Sequence, residues 1–145
     1  MHPRLKLVTL IPNFGIHTET ARRLLPDSYA RGNAMHALNR AALITASLAA
    51  GDYEALRGVF DDRIHQPQRA ALIPAMARVI QAGEHAGAIG GFLSGSGSAI
   101  ICLTRQNADV VARAMQRQLP DSTMKILTAD NQGFKVVRAP RHRHP

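Results

Sequence analysis

The sequence predicts an α+β domain in which an antiparallel sheet is covered by helices on one side. Three observations carry that expectation. The chain opens on a continuous apolar run with strand character; the apolar spacing then turns helical from Thr18 to Gly83; and strand-like runs return from Ala88 onward with one helical stretch among them. No internal repeat or domain boundary interrupts the pattern, so residues 1–137 read as one domain and 138–145 as a basic, flexible tail.

The first strand is "LKLVTLI", an apolar run bounded by Pro12 and Asn13 that suits the centre of a sheet. Thr18 can cap the next segment, "TETARRLL", with Glu19 in its first turn and Pro26 as the stop. The stretch from Asn33 to Ala50, "NAMHALNRAALITASLAA", is Ala-rich and apolar nearly all round, which predicts a buried helix closed by Gly51. In "DYEALRGVFDDRIH" the residues Tyr53, Leu56, Phe60 and Ile64 fall at helical spacing, predicting a further core-facing helix ended by Pro67. A fourth helix begins near Pro74 and buries Met76, Val79, Ile80 and Gly83.

The period then shortens. "AIGGFL" and "SAIICLT" read as strands on either side of a Ser-Gly bend, and "NADVVARAMQRQL" returns to helix behind Asn107. "MKILTA" and "FKVV" are expected to pair as a hairpin across "DNQG".

Composition narrows the function. The 145 residues can bury roughly two-thirds of their unfolded surface, and 46% hydrophobic with 19% charged residues excludes general disorder. Eighteen Lys and Arg against ten Asp and Glu leave +8; setting aside Arg138, Arg141 and Arg143 of the tail reduces this to +5. That excess favours small anions over nucleic acid, the more so with no Trp, two Tyr and four Phe for base stacking. The single Cys102 lies in "AIICLT" and reads as an inert core thiol. The opening apolar run is too short for a membrane span or signal peptide, and a cytoplasmic setting is expected. The seven histidines show no metal-ligand spacing.

The bend "GGFLSGSGSAII" carries the most specific signal. Ser94, Gly95, Ser96, Gly97 and Ser98 exceed what a two-residue turn needs, and such a bend lets a bulky anion or a second backbone come close. With "IPNFGIHTETARRLLP", "NRAAL" and "DDRIHQPQRAALIPAM", in that order, the stretch from about Leu7 to Thr104 resembles the C-terminal half of homoserine kinase, of the GHMP small-molecule kinases. The pattern T-x-x-x-R before L-P, and the later H-Q-P-x-R, separate that family from its relatives.

The resemblance implies a ferredoxin-like second domain of a two-domain kinase that holds L-homoserine and ATP in the cleft between its halves. It implies Thr18, Arg22 and Arg69 as substrate-binding residues, the two arginines gripping the homoserine carboxylate, and Ser94, Gly95, Ser96 and Gly97 as a loop lining the nucleotide cleft. Ser96 and Ser98 depart from the alanine and proline usual there. The phosphate loop P-x-x-x-G-L-G-S-S-A belongs to the family's first domain and is not matched here, so the sequence reads either as a fragment or as one half of a separately encoded pair; the ligands of ATP and Mg²⁺ are expected mainly from the missing N-terminal domain, and no catalytic residue is assigned to this one. A homodimer is compatible with this reading.

Other roles are weighed beside these. Thr18 is also a plain helix cap; Arg23 competes with Arg22 for the inward direction; Arg69 could cap the preceding helix or pair with Asp61 or Asp62; and His65 reads as a structural histidine. A non-catalytic amino-acid-binding or regulatory module derived from such a kinase is the alternative function, and nucleic-acid binding through the basic surface is a third.

Overall fold

A computed structural model describes residues 1–134 and 136. Four strands form one antiparallel sheet in the order β2-β3-β1-β4, with β1 at Lys6–Pro12, β2 at Gly90–Leu93, β3 at Ile100–Thr104 and β4 at Ser122–Thr128. The apolar opening run takes an interior place, pairing Val8 with Cys102 and Leu10 with Ile100 on one side, and Val8 with Ile126 on the other. Strand alternation sends Val8, Leu10, Ile100 and Cys102 to one face. There α4 (Met76–His85) and α5 (Ala108–Gln118) supply Met76, Val79, Val111, Ala112 and Met115 to the main core. The expected α+β architecture is thus borne out.

The opposite face carries a smaller cluster in which Leu103, half-covered Ile101 and Phe92 meet Tyr53, Leu56 and Val59. This is where the sequence reading departs from the structure. The expected helix from Tyr53 to Ile64 is only a 3₁₀ turn over Glu54–Leu56, after which Gly58 takes φ +69°. The apolar spacing is used all the same: a turn with i→i+3 bonds buries Tyr53 and Leu56, and Val59 rather than Phe60 completes the set. Pro67, expected as a stop, lies in the first turn of a short helix α3, Gln66–Arg69, where a missing N–H does no harm.

The helix expected from Asn33 to Ala50 forms as α2, Arg31–Ala50, and ends on Gly51 at φ +73°. It is not buried. Ser47 is its only buried residue, while Leu38 is 63% exposed and Met35 and Leu43 are exposed as well. A helix apolar on every side has no single stripe to commit; here Ile44 and Leu48 pack on the smaller cluster and the rest faces outward.

The first short helix, α1, spans Thr18–Arg23. Helix α4 buries Met76, Val79 and Gly83, with Ile80 half-buried. Helix α5 starts behind Asn107 as expected, though Asn107 takes φ +55° and makes no side-chain cap. Of the expected hairpin, β4 pairs with β1 instead; Phe134 and Val136 lie in no strand, and Lys135, Val137 and the basic tail 138–145 lie outside the described residues. Cys102 is fully buried, and that burial, with the Glu84 charge, pushes its thiol up to about 12. Among the described residues no helix is long and apolar enough to cross a membrane.

Candidate functional site

The bend between β2 and β3 is a loop closed on itself. Ser94 N–H donates to Ala99 O at 2.8 Å and Gly97 N–H to Ser94 O at 3.0 Å. Gly95 and Gly97 sit at φ +57° and +100°, backbone that a side chain strains. The small size of Gly97 matters a second time, because a Cβ there would stand 2.9 Å from Ile73 Cδ1 and 3.2 Å from Ile16 Cδ1. Around Gly95 nothing lies within 4 Å, so the outer side of the bend is open. The N–H groups of Gly95 and Ser96 have no acceptor among the described residues, which leaves two donors for an incoming anion or backbone.

Two segments far away in sequence converge on this bend. From the first, Ser98 Oγ donates to Phe14 O at 2.6 Å, and Thr18 Oγ1 lies 3.3 Å from Ser96 Oγ. His17, not Thr18, occupies the cap position of α1, and no side-chain cap bond forms. The cap role open to Thr18 in the sequence is therefore not taken up; its hydroxyl meets the bend instead. Arg22 lies one turn further on the same face of α1, exposed and without an ion pair among the described residues, whereas Arg23 pairs with Glu19 at 3.7 Å.

The second segment brings Arg69, which closes α3 and is only 7% exposed. Its Nη1 lies 2.7 Å from His65 Nδ1 and donates to Gly95 O at 3.5 Å. Its Nε is buried with no hydrogen-bond partner among the described residues. It pairs with neither Asp61 nor Asp62, the partners the sequence left open. An unsatisfied buried donor on a charged group carries a penalty of about 1–3 kcal/mol, so the site is short of an acceptor. Thr18, Arg69 and the Ser94–Gly97 bend are thus brought together, and Arg22 shares the Thr18 face without a bond to the others.

Two residues the sequence reading passed over hold this geometry. Asp62 accepts from the N–H groups of Ile64 at 2.7 Å, His65 at 3.0 Å and Gln66 at 2.7 Å, which starts α3. Burial alone would raise its pKa; those three backbone donors, with His65 nearby, outweigh it and hold the carboxyl below its ordinary value. Gln66 Oε1 accepts from Leu93 N–H at 2.7 Å and its Nε2 donates to Phe60 O at 3.3 Å, so the start of α3 is fastened to the end of β2, next to the bend. The available signal was an Asp placed ahead of the helix-starting H-Q-P. Asp61 serves a different joint: a hydrogen bond from Arg40 at 2.7 Å lowers its pKa despite some burial, and His36 sits 3.1 Å away, tying α2 to the same loop.

A separate cavity of about 230 Å³ among Arg4, Arg57 and Arg105 lies at the other end of the sheet, away from the bend. Among the described residues no group of three or more His, Cys, Asp or Glu side chains could hold a metal ion.

Comparison with known proteins gives a consistent picture. Residues 34–121 match the family described as GHMP kinases C terminal. The chain is 38% identical over 136 residues to a homoserine kinase of Persephonella marina, covering 91% of this chain and 45% of that protein. It is 36% identical over 139 residues to a homoserine kinase of Caldicellulosiruptor bescii, covering 92% and 45%. The crystal structure of homoserine kinase from Cytophaga hutchinsonii superposes with a TM-score of 0.80 at 26% identity, covering 89% of this chain and 42% of that one. The chain spans less than half the length of the curated relatives it matches.

Proposed function

We propose, on the premise that this chain belongs to the GHMP kinases through their C-terminal domain, that it forms the substrate-binding half of a homoserine kinase. The reaction is transfer of the γ-phosphoryl group of ATP to the side-chain hydroxyl of L-homoserine. The hydroxyl oxygen bonds to the γ-phosphorus, the bridge to the β-phosphate breaks, the hydroxyl proton leaves, and O-phospho-L-homoserine and ADP result, a step toward threonine. Such a reaction depends chiefly on orientation and charge stabilisation, which is work a positioning domain can share.

The observation that carries this reading is the convergence of Thr18 and buried Arg69 on one glycine-rich bend. In the proposed pose Arg69 and Arg22 take the homoserine carboxylate, a task for which planar guanidinium groups are suited, and Thr18 adds a hydroxyl at the same end. Ser94, Gly95, Ser96 and Gly97 line the cleft toward the nucleotide, with the Gly95 and Ser96 N–H groups available. In this reading the ion and the triphosphate are held mainly by an N-terminal half such as the curated relatives contain in the length this chain does not match. The outward face of α2, with exposed Met35, Leu38 and Leu43, offers that half an apolar seat.

The test is homoserine saturation kinetics in an enzyme assembled from this chain and a homoserine kinase N-terminal half. Arg22→Ala and Arg69→Ala each should lower kcat/KM for homoserine about ten- to 150-fold, the range for losing a charge-assisted bond, with ATP saturation little changed. Lys at either place should rescue only partly, since an ammonium lacks the planar fork. Arg23→Ala should be nearly silent, because its exposed pair with Glu19 is worth little. Unchanged homoserine kinetics in both arginine variants, or a loss confined to Arg23→Ala, refutes the assignment.

A further inference from the structure

We propose that His65 is a positioning residue: in its neutral form, with the proton on Nε2, it holds the Arg69 guanidinium against the bend, and acidification loosens that hold. The inference rests on the reading of Arg69 as the carboxylate-gripping residue, but its geometric part stands without it.

An arginine guanidinium donates and never accepts, and it stays protonated in proteins. Arg69 Nη1 lies 2.7 Å from His65 Nδ1, so Nδ1 has to present a lone pair. The proton of the neutral ring is then on Nε2, which stands 3.3 Å from Asp62 Oδ2. Asp62 is in turn fixed by the N–H groups of Ile64, His65 and Gln66. Asp62 thus binds the backbone N–H of His65 and stands beside the Nε2 edge of its ring. The result is a line from Asp62 through His65 to Arg69 and on to Gly95 O. With Nη1 occupied by His65 and Gly95, Arg69 Nε is left without a partner among the described residues.

The charges around His65 are accounted for. Asp62 and Arg69 face it from its own segment; His36 and Arg40 of α2 line the same cavity but are engaged with Asp61 at 3.1 and 2.7 Å. Protonating His65 turns Nδ1 into a donor and sets two N–H groups of two cations against each other at hydrogen-bond distance. That contact cannot persist, so acidification removes the hold of His65 on Arg69 and leaves Nη1 with Gly95 O alone.

The first measurement is ¹⁵N NMR of this chain alone. At neutral pH the long-range imidazole correlations should show His65 with Nε2 protonated and Nδ1 bare. The Arg69 guanidinium should show slowed rotation that is lost on acidification in step with His65. His65→Phe should abolish both the slow rotation and the pH step; His65→Gln, which keeps an acceptor, should restore slow rotation without the pH step. In the assembled kinase, acidification and His65→Phe should each raise homoserine KM about tenfold with kcat and ATP saturation little changed, the pattern of lost binding rather than lost chemistry. A proton on Nδ1 at neutral pH, or an Arg69 signal indifferent to the titration of His65, overturns the proposal. A correct tautomer with unaltered homoserine KM in His65→Phe also overturns the positioning role. If the assembled protein has no homoserine kinase activity at all while the NMR coupling is present, the functional reading fails and the His65–Arg69 coupling stands.

Discussion

Replacing Asp62 with alanine removes one acceptor from three backbone donors at once. The bonds from Ile64, His65 and Gln66 measure 2.7, 3.0 and 2.7 Å, and the side chain is only 19% exposed. A hydrogen bond contributes about 0.5–1.5 kcal/mol net, more to a charged acceptor, and partial rehydration of the freed N–H groups offsets some of the sum. The expected loss is about 2–3 kcal/mol, which lowers a urea midpoint by about 1–2 M at ordinary slopes for a domain of this size. Asp62→Asn keeps one carbonyl oxygen but turns an amide toward the remaining donors, so its loss should approach that of alanine. The pH dependence separates this account from a packing effect. The folded pKa of Asp62 lies below its unfolded value, so its contribution is fully present above the ordinary carboxylate range near ~3.9 and is lost as pH falls through the folded value. Urea unfolding of the native chain and Asp62→Asn at pH 7 and at successively lower pH should show a large gap that narrows as the Asp62 carboxylate is protonated. A gap within about 0.5 kcal/mol at pH 7, or one that does not narrow in acid, refutes the reasoning.

Gly97→Val should destabilise the chain by about 2–4 kcal/mol, since it combines φ +100° with a Cβ 2.9 Å from Ile73 Cδ1, while Gly95→Ala at φ +57° in open space should lose only about 1 kcal/mol; equal melting temperatures would contradict this. Gly83→Ala is expected to destabilise by about 1–3 kcal/mol despite the better helix propensity of Ala, because the new Cβ would fall 2.6 Å from Cys102 Sγ and 3.2 Å from Met115 Cγ; a rise in thermal stability would show that α4 shifts freely. Leu38→Glu should change the melting temperature of the isolated chain by no more than an ordinary surface substitution, as Leu38 is 63% exposed; a large drop would mean that this face of α2 is already covered.

The sheet was legible because its signal is local. A run such as "LKLVTLI" and the Gly-rich bend between two apolar strands each carry their own pattern, and the helices at Met76–His85 and Ala108–Gln118 show one apolar face apiece. The segment after Gly51 misled because i, i+3 spacing suits a 3₁₀ turn as well as an α-helix, and Gly58 breaks it after one turn. The burial of α2 was misjudged for a different reason: composition says that a surface wants cover but not that the cover is present in the same chain. At the site, Thr18, Arg69 and the bend were named from the resemblance, and the geometry joins them. Asp62 and Gln66 escaped notice because their role lies in which backbone N–H they face, a property that residue type and spacing leave open. The pairing of β4 with β1, 110 to 122 residues apart along the chain, likewise has no local signature.

Cys102 gives the molecule a practical property. It is the only thiol in the sequence, it has no accessible surface, and its pKa of about 12 keeps it protonated at any ordinary working pH. Alkylating dyes and spin labels react with thiolates, so the folded chain offers them no target. A reporter cysteine placed anywhere on the surface will be the sole reactive site, with no need to delete the native one. Conversely, the rate at which the unaltered protein takes up such a reagent is a clock for the opening of the β3–α4 layer, readable without any label built in.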